Sequence, residues 1–230
     1  MEKTPDINQE LNIALDRLCA SIPDTVDAAK LSYISKLPFT LSVWEASLRA
    51  RALELGESGR ELFNSGRLLP AAVIARSLME TTAIHFWMTD RVSKVDSVEK
   101  VVEIQEFIFR GALGSRNWSE DQSENPESLN ALSAIDKAAK RNPKFRELYD
   151  QLCEHAHPNL EGTLLSFSLK NEETHISQIG KYLLEADWVF VQIAILVSLL
   201  LLFESMEAWA ASIEEFSYWS EEGSKSGDLT

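Results

Sequence analysis

Apolar residues recur every three or four positions along most of the chain, which is the spacing of amphipathic α-helices. The first series ends near Pro23 and comprises Ile7, Leu11, Leu15 and Leu18, behind a Thr4–Pro5 helix start. Similar series, bounded by caps and prolines, predict further helices over residues 40–66, 69–90, 96–110, 126–141 and 143–156. The pattern therefore predicts an all-α protein.

The longest apolar run, WVFVQIAILVSLLLLF, covers residues 188–203 within a helical pattern that extends from Lys181 to about Trp219. Its 16 residues are fewer than the roughly 20 that a bilayer-crossing helix needs. Gln192 and Ser198 also interrupt it. A short helix that is apolar on all sides is typical of the centre of a bundle. We therefore expect a helical bundle around this long helix and no contact with a membrane.

A different pattern follows the segment EHAHPN at residues 154–159. Polar and apolar residues alternate in TLLSFSL and THISQI, with a polar turn between them, and this predicts a small β-hairpin. We expect one helical domain over residues 1–220, with an N-terminal helical extension (1–40), a bundle (41–220) and a polar tail (221–230). The chain lacks the GxGxxG, GxxxxGK[ST], GxSxG and HExxH motifs, which argues against a nucleotide-binding enzyme, a serine hydrolase or a zinc protease.

The net charge of −14 is concentrated towards the C-terminus, because residues 160–230 carry 3 basic and 12 acidic side chains. Such a chain lacks the positive field that attracts DNA, so we expect no DNA partner. RNA would have to bind locally, in a cleft. Cys19 and Cys153 are far apart and form no CxxC pair, and the N-terminus has no signal-peptide pattern, so a cytoplasmic location is expected.

Arg76 and Glu80 lie one turn apart in a helix that is otherwise mostly apolar. Such a pair either bridges neighbouring helices and fixes their register, or orients an arginine for binding an anion. At 100° per residue, His85 falls about 180° away from Arg76, so His85 is not expected to join the pair.

His155 and His157 form the second polar cluster, at the point where Pro158 ends a helix. His155 projects from the edge of the apolar stripe, either as a core-edge histidine bonded to a carbonyl or as a group facing a groove. The direction of His157 is not predictable beside a proline. Two histidines without a third ligand make a poor metal site, so neither a metal nor another cofactor is expected.

The segments RSLMETTAIHFW and FRELYDQLCEHAHPN, followed by a hairpin and a long apolar helix, resemble uncharacterised prokaryotic all-helical proteins at the edge of the HEPN superfamily. The resemblance covers roughly residues 45–215 and rests on Arg76, Glu80, Tyr149 and HAHP. Many HEPN proteins are metal-independent ribonucleases of toxin or antiviral systems, working as dimers with a shared cleft. Their signature is an arginine four to six residues before a histidine, whereas Arg146 here precedes His155 with eight residues between.

The resemblance implies one hypothesis, a ribonuclease of toxin or antiviral defence. His155 and His157 would act as base and acid, Arg76 would stabilise the negative charge of the phosphorane, and Glu80 would orient Arg76. Tyr149 and Asn159 would contribute to binding. The second hypothesis is a non-catalytic helical module that binds a protein partner, for example from the same operon, or a small anionic ligand. A homodimer is expected in either case.

Overall fold

The computed structural model describes residues 6–114, 127–182 and 188–229. In these ranges the elements are α1 (Ile7–Ser21), α2 (Ala28–Leu31), α3 (Leu37–Asn64), α4 (Leu68–Val92), α5 (Val98–Leu113), α6 (Ala131–Arg141), α7 (Pro143–Ala156), a π-helix (Leu160–Leu165), β1 (Ser168–Asn171), β2 (Ile176–Ile179) and α8 (Val189–Ser226). The predicted all-α fold class is confirmed, together with the long C-terminal helix and the hairpin after the HAHP segment.

Short polar side chains start several of these helices. Asp6, Asn130 and Asn142 each accept a hydrogen bond from the backbone N–H two residues further on, which satisfies a donor that the first turn leaves open. Pro38 lies in the first turn of α3, where its missing N–H costs nothing, so it opens a helix there. Gly66 follows α3 with φ 72° and allows the sharp turn into α4.

Helix α8 lies at the centre of the bundle and packs against α1, α3, α4, α5 and α7. One apolar cluster joins α1, α4, α6 and α7 to the first half of α8, and its fully buried residues include Leu11, Leu78, Phe145 and Leu199. A second cluster, around Trp44, Ile108 and Phe216, joins α3 and α5 to the second half of α8. The bundle therefore places α7 against α4, which positions the residues of the candidate site.

Several details differ from the predicted pattern. Gly56 and Gly59 are buried inside an unbroken α3, where Gly56 faces Leu15 and Gly59 faces Ile195. Residues 163–165, predicted as strand, belong to the π-helix, and α8 continues through the expected polar tail to Ser226. Thr4, Pro5 and the predicted helix start at Asn125 and Pro126 lie outside the described residues.

Helix α8 is long and apolar enough to pass a membrane-span test based on length and composition. Of its most apolar window, 61% is buried inside the protein. A buried core helix of a bundle passes the same test, so this property is weak support for a membrane span.

Candidate functional site

Arg76 contacts α7 through two side chains one turn apart. Its Nε donates a hydrogen bond to Cys153 Sγ at 3.2 Å, and its Nη2 donates to Tyr149 Oη at 3.3 Å. Nη2 also lies 3.2 Å from Glu80 Oε1 on its own helix. The Tyr149 hydroxyl in turn donates to Glu80 Oε1 at 2.8 Å. Arg76, Glu80, Tyr149 and Cys153 thus form one hydrogen-bonded cluster between α4 and α7, which we call the arginine cluster.

The arginine cluster lies at the boundary between core and solvent. Tyr149 is 1% exposed, whereas the side chains of Arg76 and Glu80 keep 35% and 29% of their surfaces exposed. Burial raises the pKa of the Tyr149 phenol, and its hydrogen bond to Glu80 raises it further. Burial acts to lower the pKa of Arg76, but its hydrogen bond to Tyr149 and the nearby Glu80 outweigh that effect. The phenol of Tyr149 is therefore protonated at pH 7. The positive charge of Arg76 is balanced by its ion pair with Glu80.

His155 faces another direction. Tyr149 and Cys153 define the side of α7 that faces Arg76, and His155, two residues beyond Cys153, is turned about 200° from it. Its Nδ1 lies 3.0 Å from the carbonyl oxygen of Gln151. Because a carbonyl can only accept, Nδ1 carries the proton and Nε2 alone is left for acid–base chemistry. The ring packs against Trp188 and Phe190, with centroids 4.8 and 4.9 Å away.

The remaining residues of the HAHPN segment shape the turn after α7. Asn159 Nδ2 donates to Glu154 Oε2 at 2.7 Å, and its Oδ1 accepts from the Gly162 N–H at 3.0 Å. Asn159 therefore caps the π-helix. Gly162 lies directly over the carbonyls of His155 and His157, where a Cβ atom would overlap both oxygens. His157 is exposed, and its side chain forms no hydrogen bond, ion pair or ring contact with the described part of the chain.

The structure therefore brings three of the predicted site residues together and separates the others. Arg76, Glu80 and Tyr149 share one network. No hydrogen bond or ion pair joins Arg76 to His155 or His157, all three of which lie in described ranges. Within one chain, the base and the cation that a ribonuclease mechanism requires are held by different partners.

A second polar cluster, which we call the buried polar layer, was missed by the sequence analysis. His85 is 0% exposed; its Nε2 lies 3.1 Å from Glu45 Oε1, and its Nδ1 lies 2.7 Å from Ser205 Oγ. Arg49 Nη2 donates to Glu45 Oε2 at 2.7 Å. The layer thus joins α3, α4 and α8 inside the bundle, with Glu45 and His85 buried and the Arg49 side chain 13% exposed at its edge. The signal was present, since Glu45 and Arg49 have the same one-turn spacing as Arg76 and Glu80.

Metal binding has no structural support in the ranges 6–114, 127–182 and 188–229, where no three His, Cys, Asp or Glu side chains are grouped as ligands.

Comparison with models of known protein families, with curated proteins and with solved structures finds no match to this chain.

Proposed function

We propose that this chain is a non-catalytic helical module that binds a protein partner through its hairpin and π-helix. The observation that carries the proposal is the exposure of β2, of which every residue is exposed. Ile176 and Ile179 keep 67% and 77% of their surfaces in solvent. A large apolar side chain on a protruding strand gains stability only when another surface covers it.

Exposed apolar side chains continue from the hairpin, where Ile176 and Ile179 point to opposite faces, onto the π-helix. β1 packs against that helix, and four further exposed side chains extend the surface, namely Leu160, Leu164, Leu165 and Leu169. A two-stranded hairpin is only marginally stable by itself, and the outer edges of its strands carry backbone groups that pair readily with another strand. Addition of a partner's strand would use both features.

The arginine cluster supports the non-catalytic part of the proposal. Arg76 already has Glu80, Tyr149 and Cys153 as partners, so binding an anion would require giving up contacts with a carboxylate and a phenol. The Nδ1 of His155 is held by a backbone carbonyl. The bonds from Arg76 to Tyr149 and Cys153 hold α4 and α7 together, as a structural role requires. We also propose a cytoplasmic location, which the free thiols of Cys19 and Cys153 support.

Ribonuclease activity is the second candidate function. It is favoured by the exposure of His157 and by the partial exposure of Arg76. A reaction cleft would then have to form between two copies of the chain, with each copy supplying part of the acid, base and cation. Such a cleft requires dimerisation, whereas binding through the hairpin does not.

The binding proposal is tested by photocrosslinking from β2. A photoreactive amino acid replaces Gln178, and, as a matched control, exposed Glu57 on α3. We expect a discrete crosslinked protein, either a second copy or another chain, from position 178 only, and its loss in the Ile176→Lys/Ile179→Lys variant. Equal crosslinking from both positions, or crosslinking that survives the lysine substitutions, would contradict the proposal.

The non-catalytic part is tested separately with a mixed RNA pool in the absence of metal. We expect wild-type, His155→Ala and His157→Ala proteins to leave the RNA equally intact. Decay that the wild type produces and either histidine variant loses would replace this part of the proposal with the ribonuclease hypothesis. The crosslinking result would still stand, because it does not depend on RNA cleavage.

A further inference from the structure

Tyr218 is an exposed aromatic residue near the C-terminal end of α8, with 56% of its surface in solvent. On a helix, the neighbours of a side chain are three and four residues away in either direction. For Tyr218 all four of these positions hold glutamates, namely Glu214, Glu215, Glu221 and Glu222. These four glutamates flank Tyr218 on the helix surface, and we call them the acidic square.

The segment before α3 extends this surface. The backbone N–H of Tyr33 donates to Glu221 Oε1 at 3.1 Å. This bond and one from the Ser32 hydroxyl hold the pKa of Glu221 below its ordinary value, the hydroxyl having the larger effect. Tyr33 is 88% exposed and Ile34 is 53% exposed. Two exposed tyrosines and an isoleucine thus flank one fixed carboxylate.

The charge of this surface selects its occupant. Lys225 pairs with Glu222 at 2.7 Å and also attracts Glu221 electrostatically, so its charge offsets part of the C-terminal side of the square. Glu214 and Glu215 are exposed and form no ion pair with the described residues. An acidic surface repels RNA and anionic lipid, whereas it attracts cationic side chains, which also bind favourably over the face of a tyrosine ring.

We propose that the surface formed by Tyr33, Ile34 and Tyr218 docks a Lys/Arg-rich segment of a partner protein. Cationic groups of the segment lie over the tyrosine rings and pair with Glu214, Glu215 and Glu221, while Ile34 contacts the aliphatic part of its side chains. This surface is built from different elements than the hairpin surface. It therefore goes beyond the function proposed above and does not depend on it.

The test uses the full chain and a fluorescein-labelled oligo-arginine peptide, with binding followed by anisotropy at physiological ionic strength and an oligo-glutamate peptide as a blank. We expect Tyr218→Ser to weaken binding about threefold, the effect of one exposed cation–π contact. Leu132→Ser is the matched control, since Leu132 is an apolar residue 50% exposed on α6. It is expected to leave the affinity unchanged.

The acidic square is tested against a charge-matched control. Glu214→Gln/Glu215→Gln and Glu54→Gln/Glu57→Gln remove the same charge, the second pair from an exposed part of α3. We expect the α8 pair to weaken binding at least about twofold more than the α3 pair, since exposed charges act mainly over short distances. Equal weakening by both pairs, or unchanged binding by Tyr218→Ser, would show that the net charge alone attracts the peptide. Either result would overturn the proposal. The Ile176→Lys/Ile179→Lys variant adds positive charge only at the hairpin. We expect it still to bind the oligo-arginine peptide more tightly than the oligo-glutamate peptide.

Discussion

The hydroxyl of Tyr149 donates a 2.8 Å hydrogen bond to Glu80 Oε1 across the contact between α7 and α4. The Tyr149 hydroxyl oxygen also accepts a 3.3 Å hydrogen bond from Arg76 Nη2. The Tyr149 hydroxyl therefore hydrogen-bonds to both members of the Arg76–Glu80 ion pair, which belongs to another helix. Such a bridge is worth more than an exposed salt bridge, because a buried group bonded to charged partners is costly to leave unpaired.

We expect Tyr149→Phe to lower the free energy of unfolding by about 1.5–3 kcal/mol, the range for a hydrogen bond to a charged group. The substitution keeps the ring and removes only the hydroxyl. Urea unfolding followed by circular dichroism measures the change. Tyr218→Phe, at a residue 56% exposed, is the control and should alter stability by less than about 0.5 kcal/mol. Equal effects of the two substitutions would show that the Tyr149 hydroxyl contributes little.

The raised pKa of Tyr149 makes stability depend on alkaline pH. In the unfolded chain the phenol loses its proton near its ordinary pKa of 10.0, whereas the folded protein holds the proton to higher pH because of burial and the hydrogen bond to Glu80. The folded state therefore binds more protons in this window, and stability falls as pH rises above about 10. We expect a steeper alkaline fall in the wild type than in Tyr149→Phe, measured by urea midpoints at a series of pH values. Parallel curves would contradict the assignment.

Two adjacent threonines in α4 should respond in opposite directions to the same substitution. Thr82 is 0% exposed, and its hydroxyl has no hydrogen-bond partner among the described residues. Thr81 instead donates to the Ser77 carbonyl and accepts from Arg51. We expect Thr82→Val to raise the unfolding free energy by about 1 kcal/mol, because burying an unpaired hydroxyl is unfavourable.

Thr81→Val is the internal control for this prediction, and we expect it to lower stability by about 1 kcal/mol through the loss of both bonds. Thermal unfolding of the two variants under identical conditions decides the question. A destabilised Thr82→Val protein would show that its hydroxyl has a partner in solution.

Gly162 should not tolerate even a methyl group. An added Cβ would overlap the carbonyl oxygens of His155 and His157, and backbone atoms cannot move aside as a flexible side chain can. We expect Gly162→Ala to lower the free energy of unfolding by about 1–3 kcal/mol, the range for overpacking. The exposed neighbouring substitution Thr163→Ala should change stability by less than about 0.5 kcal/mol. Chemical denaturation measures both, and similar values would contradict a tight turn after α7.

The sequence predicts well what depends on local spacing. The helical period and the caps locate most of the helices, and the one-turn separation of Arg76 and Glu80 predicts their ion pair. The angle between Arg76 and His85 separates those two residues in the sequence and in the structure, where His85 faces Glu45 and Ser205.

What depends on packing between helices is not contained in local spacing. Tyr149 and Cys153 meet Arg76 only because α7 lies against α4. His155 turns towards Trp188 and Phe190, which are contributed by the start of α8. The π-helix replaced the first residues of the predicted strand, because Asn159 caps a helical turn at the Gly162 N–H. The contacts of Arg76 with α7 and of His155 with the start of α8 involve residues with no periodic relation in the sequence, whereas the Asn159 cap is local.

Glu45, His85 and Ser205 come from three different helices and meet inside the bundle. If one helix slid along its neighbours by a single turn of about 5.4 Å, the carboxylate of Glu45 would lose its imidazole and keep only Arg49, which lies on the same helix. Leaving the buried imidazole and one carboxylate oxygen without partners costs about 1–3 kcal/mol for each group, a large share of the stability of an ordinary domain. The buried polar layer therefore fixes the register of α3, α4 and α8 along their axes. These three helices should separate together when the bundle opens.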